Sequence, residues 1–222
     1  MLDLSELQPE RIFIIGEILG DHTQFIRLLY EQHFNYKDIM VTTGNNFDFD
    51  DPKSIETLLF IKNSLNVYSV KGKNEVDLID QSKTDPESIP TWLRSYPTTS
   101  DILKFIIELP LIIKISEYIY IVHAGVLPNK TIDEQDPKTF YMIGDFDKDS
   151  EFYQFENPDE KSWYDFDIFK GDKRIEIYFG GKGIGKVKVP AGYCLGREKG
   201  QTLKGIIIPY LQSEMSPIYV EV

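Results

Sequence analysis

The chain has 222 residues, 41% hydrophobic and 13% aromatic, which excludes a disordered or fibrous chain and suits one globular domain spanning residues 1–222. Acidic residues outnumber basic ones by 36 to 24, a net charge of −12, so nucleic acid and anionic membrane are excluded as expected partners. The single Cys194 excludes an internal disulfide and a cysteine-rich zinc site.

The N-terminus lacks the basic and apolar stretches of an export signal, and no run of about 18 apolar residues occurs, so a cytoplasmic protein is expected. Arg11–Ile15 reads as a buried strand ending at Gly16-Glu17-Ile18-Leu19-Gly20, and Asp21 or Thr23 caps a helix over Gln24–His33. Ile39–Thr43 is a second strand, ending at Gly44-Asn45-Asn46, and Ile55–Ser64 a helix. Asn66–Val70 is a third strand, followed by a loop Lys71-Gly72-Lys73-Asn74-Glu75. This alternation predicts βαβ units and a largely parallel sheet.

Gln81–Thr99 is polar and proline-bearing, with Trp92 and Tyr96 packing beneath it. Ile102–Leu109 reads as a helix, and Leu111–Ile115 with Tyr118–Val122 as a hairpin that leads into His123-Ala124-Gly125. An acidic, aromatic segment runs from Asp133 to Asp167. Strands are then expected at Arg174–Phe179, Lys186–Val189, Leu203–Ile208 and Ile218–Val220.

Three successive strands thus end in glycine loops at Gly16, Gly44 and Gly72, and a fourth ends in His-Ala-Gly. Glu108-Leu109-Pro110-Leu111 precedes the hairpin, and Gly180-Gly181 and Gly192-Tyr193-Cys194 follow later. In this order the motifs resemble the calcineurin-like metallophosphoesterases, in the branch of diadenosine tetraphosphate hydrolases and PPP-type phosphatases. The resemblance implies an α/β fold of two facing mixed sheets flanked by helices. It also implies a two-metal phosphoester hydrolase, with its site at the ends of these strands.

Carried over residue by residue, that site is mostly lost. The first motif's aspartate falls on Glu17 and its histidine on Leu19. The bridging aspartate falls on Asn45, and the later Asp-Arg pair on Asp48 and Phe49, removing the phosphate-binding arginine. The Asn ligand falls on Lys73, the histidine acid on Asn74, the arginine after His-Ala-Gly on Gly144, and the last histidine on Gly181. Only His123 and Glu17 remain as candidate ligands.

A shared bridging carboxylate offsets the repulsion of two cations, and neutral Asn45 cannot do so. No metal cofactor is therefore expected; manganese or another divalent ion is the alternative if the chain is active. The Lys73 ammonium is a candidate replacement for a cation, pairing with Glu17 or Asp48. The expected function is a pseudophosphatase that binds a protein or a phosphorylated ligand. The alternatives are a divergent active phosphoesterase and a purely structural subunit.

Two other patterns occur in the sequence. Asp145, Asp147, Asp149 and Glu156 copy calcium-loop positions, but Ser150 replaces the turn glycine, so an acidic solvated loop is expected. Gly180–Gly185 followed by Lys186 approximates a phosphate loop, but Val187 replaces the magnesium-binding hydroxyl and a strand pattern follows.

Overall fold

A computed structural model describes residues 1–127, 130–142, 174–181, 188–190, 192–210 and 216–222. The arginine position Gly144, the calcium-loop candidates Asp145, Asp147, Asp149 and Glu156, and much of the acidic aromatic segment lie outside the described residues.

Two sheets form the centre. One contains β2 (Arg11–Ile15), β3 (Ile39–Thr42), β4 (Val67–Ser69), β10 (Lys204–Pro209) and β11 (Ile218–Glu221), in the order β11-β10-β2-β3-β4. The other contains β1 (Leu2–Asp3), β5 (Ile112–Lys114), β6 (Ile119–Val122), β7 (Glu176–Phe179), β8 (Lys188–Val189) and β9 (Gly192–Cys194), in the order β1-β5-β6-β7-β9-β8. Both sheets are mixed: β2, β3 and β4 run parallel, whereas β10 pairs antiparallel with β2. The parallel pairing expected from the βαβ alternation holds for β2, β3 and β4, and in the other sheet β6, β7 and β9 also run parallel, with antiparallel strands beside both sets.

Strand alternation explains the layering. Ile12 and Ile14 face Ile113, Ile121 and Tyr178 of the other sheet, while Phe13 and Ile15 point the opposite way onto Phe25, Leu28 and Leu29. Those last three residues are the buried stripe of α1 (His22–Glu31), at the spacing of one helix face. Asp21 caps α1 by accepting the Gln24 N–H at 3.1 Å, as the sequence predicts.

Beside this core, α2 (Ser54–Asn63), α3 (Lys73–Thr84), α4 (Thr91–Arg94) and α5 (Thr99–Glu108) pack with Phe47 into a helical cluster; Trp92 and Tyr96 lie against it. The short 3-10 turn Pro86–Ser88 joins α3 to α4. The predicted loop at Lys73-Asn74-Glu75 is in fact the first turn of α3. No helix among the described residues is long and apolar enough to cross a membrane.

Candidate functional site

The parallel strands β2, β3 and β4 carry their C-terminal loops to one edge, and the loops after β6 and β7 meet them from the other sheet. Gly44 makes the meeting close. Its φ of +85° suits glycine, and a Cβ there would lie 2.6 Å from Gly72 N.

Glu75, fully buried, anchors this cluster. Its carboxyl accepts N–H bonds from Gly72 (2.8 Å), Asn45 (2.9 Å) and Asn46 (2.9 Å). As the third residue of α3 it also reaches back to the residue that starts the helix, which is half of a capping box. Burial raises its pKa, while the three N–H donors oppose that rise.

Asn45 has φ +53°. Its Oδ1 accepts the Asn74 N–H at 2.8 Å, and its Nδ2 donates to Glu17 Oε1 at 2.6 Å. A backbone N–H can only donate, so the amide oxygen must face Asn74 and the amide nitrogen must face Glu17. Asn74 is occupied likewise, donating through Nδ2 to Phe47 O at 2.8 Å.

His123 lies buried 2.8 Å through Nδ1 from Thr43 O. A carbonyl only accepts, so Nδ1 carries the proton, and the lone pair of Nε2 sits 4.0 Å from Glu17 Oε1. Burial lowers the imidazole pKa to about 4 and raises that of Glu17 to about 7. Both shifts favour the neutral forms, so this contact is a meeting of a neutral imidazole with a largely protonated carboxyl and not an ion pair. The hydroxyl of Thr43, also buried, has no hydrogen-bond partner among the described residues.

Lys73 pairs with Asp77 four residues along α3, and Asp48 pairs with Lys199 at 3.0 Å, so Lys73 replaces no cation beside Glu17 or Asp48. The cation that does reach Glu17 is Arg197, which the sequence reading missed. Its Nε donates to Glu17 O at 2.7 Å and its Nη1 to Gln24 Oε1 at 3.0 Å, while its backbone N–H reaches Glu17 Oε2 at 3.2 Å. Leu19 takes φ +53° and donates its N–H to Asn45 O at 2.9 Å. Gly181, at φ +75°, lies beside the backbone of His123 and Ala124.

Of the positions named from the resemblance, Glu17, Leu19, Asn45, Asn74, His123 and Gly181 thus lie together, and the residues there do not fit a two-metal centre. The position expected to bridge two cations presents an N–H donor to Glu17 instead of a lone pair. Among the described residues, no group of three or more His, Cys, Asp or Glu could hold a metal.

The structure superposes with a TM-score of 0.79 at 24% identity on a protein provisionally named a diadenosine tetraphosphatase, covering 99% of this chain and 96% of that one. A protein serine/threonine phosphatase from Saccharomyces cerevisiae gives 0.59 at 14% identity, covering 100% and 82%. A metallophosphoesterase from Sphaerobacter thermophilus gives 0.57 at 13%, covering 96% and 88%. The chain has the calcineurin-like metallophosphoesterase fold.

Curated relatives agree with this fold. Two symmetrical bis(5'-nucleosyl)-tetraphosphatases match: one from Wigglesworthia glossinidia brevipalpis, 26% identical over 122 residues, and one from Aliivibrio fischeri (strain MJ11), 30% identical over 125 residues. Each match covers 52% of this chain and 45% of the relative, so the matched part spans about half the length of these relatives. No protein-family model matches the chain.

Proposed function

We propose that this chain is a pseudophosphatase: a protein of the calcineurin-like fold that binds a protein or a phosphorylated ligand and does not hydrolyse phosphoesters. The observation that carries this reading is the Asn45 amide, turned by the Asn74 N–H so that its nitrogen meets Glu17. Two-metal hydrolysis needs an anionic oxygen shared by cations about 3.5–4 Å apart, to hold them together and to activate the attacking water. Asn45 supplies no charge at that place and turns its NH2 donor, not its oxygen, towards Glu17. The groups that would grip phosphate and protonate the leaving oxygen are replaced by Phe49 and Asn74, and Asn74 is committed to Asn45 and Phe47.

One observation favours a second reading, a divergent hydrolase like the tetraphosphatases it matches. The His123 Nε2 lone pair faces Glu17, and its Nδ1–H is held by a carbonyl, the arrangement common to ligating histidines.

The two readings separate in one experiment. Purified protein is analysed for bound metal and then assayed on diadenosine tetraphosphate and p-nitrophenyl phosphate with added manganese. The expected result is no stoichiometric metal and no turnover above a His123→Ala control. Stoichiometric metal with turnover lost in that variant overturns the pseudophosphatase reading.

A further inference from the structure

Phe49 stands where the fold's phosphate-binding arginine is expected, and its surroundings have changed with it. Its ring packs edge-on against Phe47, with centroids 5.2 Å apart, and Phe47 packs in the same way against Trp92 at 6.3 Å. The Phe49 carbonyl accepts the Trp92 indole N–H at 2.9 Å. The polar edge of the indole is therefore used internally, and the half-buried ring offers an apolar aromatic surface to the adjoining groove.

Against these rings opens a groove of about 590 Å³. The loop before α2 forms one wall, with Asp50 and Pro52, and the segment leading into α4 forms the other, with Glu87 and Pro90. The charged residues lining it are both carboxylates. Glu87 pairs with Arg94, which does not line the groove, whereas Asp50 is exposed and in no close ion pair among the described residues, although the Lys199 ammonium, paired with Asp48, also attracts it.

A phosphate in this groove would meet the carboxylate of Asp50 and aromatic rings, with no lysine or arginine among the described residues of the lining. An arginine meets the opposite conditions: its guanidinium plane stacks on an aromatic face while its N–H fork engages a carboxylate. The net charge of −12 adds a long-range attraction for a basic partner. We infer that this groove binds an arginine-bearing extended segment of a partner protein. Recognition at the former phosphate side of the site has thus changed from anion to cation. The inference deepens the pseudophosphatase reading, and rests on it for the claim that binding is the task of this surface.

The test uses the full chain and a fluorescein-labelled peptide of arginines spaced by glycine and proline, with a twin carrying glutamate for arginine. Fluorescence anisotropy at low salt should show saturable binding of the arginine peptide and at least about tenfold weaker binding of the twin. Asp50→Lys should weaken the arginine peptide by at least about tenfold, with an unchanged melting temperature. The charge-matched Glu6→Lys, outside the groove, should change it by less than about twofold.

No saturation, or equal weakening by both variants, overturns the inference. Hydrolytic activity is measured on the same preparation, so the two readings fail separately. Turnover together with Asp50-dependent peptide binding removes the pseudophosphatase reading and supports the groove. Absence of both removes the groove and leaves that reading in place.

Discussion

At the residue scale, Glu17 and His123 titrate in opposing senses. The Glu17 carboxyl, at about 7 against an ordinary 4.5, keeps a proton in the folded state that the unfolded chain has released. Its contribution to stability is therefore complete below pH 4.5 and is lost as pH rises towards 7. The His123 imidazole, at about 4 against 6.5, stays neutral where the unfolded chain takes up a proton. Its contribution is complete above pH 6.5 and is lost as pH falls towards 4. Each difference is about 2.5 units, or roughly 3 kcal/mol. Between pH 4.5 and 6.5 the two slopes oppose, so together they leave stability nearly level there. Glu17→Gln removes one of them. Relative to the wild type, its unfolding free energy should gain about 3 kcal/mol from pH 4.5 to 6.5, measured by urea titration of both proteins at each pH. A difference between the two that stays constant over this window would show that Glu17 is not held as described.

At the scale of elements, the loop after β3 and the start of α3 depend on each other through Glu75. In Glu75→Gln the shape is nearly kept, but one side-chain oxygen becomes an NH2 that faces backbone N–H groups and cannot accept them. Hydrogen bonds to a charged acceptor contribute about 1.5–3 kcal/mol each, so losing one or two should cost about 3 kcal/mol. In a chain of this size that corresponds to a fall of roughly 6–12 °C in melting temperature, read by calorimetry. A fall under about 2 °C would mean that the loop is held by other contacts.

The longer strands and α1, α2 and α5 were legible because alternation and helical spacing are local properties, whereas β1 and β9, two and three residues long, were too short to show it. Helices α3 and α4 were not legible; α3 begins in Gly72, Lys73 and Asn74, which are residues of loops. Glu75 stabilises them as a helix start only after the chain has folded onto β3. The motifs also marked Glu17, Asn45 and Asn74 as site positions, and hydrogen bonds join the three. The orientation of the Asn45 amide was not legible, since it is set by an N–H 29 residues away.

At the scale of the whole molecule, the site joins the two ends of the sequence. Strand β10 lies against β2 from Gly205↔Ile15 to Pro209↔Arg11. Just before β10, Arg197 threads its guanidinium into the first loop, donating to Glu17 O, Ile18 O and Gln24 Oε1 across separations of 173 to 180 residues. No motif marks this arginine, because its burial to 3% exposure exists only once both ends have met. Contacts across so long a loop are the costliest in chain entropy and form late. A group that docks late has little effect on the folding rate and a large one on unfolding. Arg197→Met keeps the aliphatic stem but strands several buried carbonyls, so the loss should be about 3–5 kcal/mol. Stopped-flow measurements in guanidinium should place most of that loss in faster unfolding, with the refolding limb nearly unchanged. Slower refolding of matching size would mean that Arg197 joins the ends of the chain before the sheet pairs.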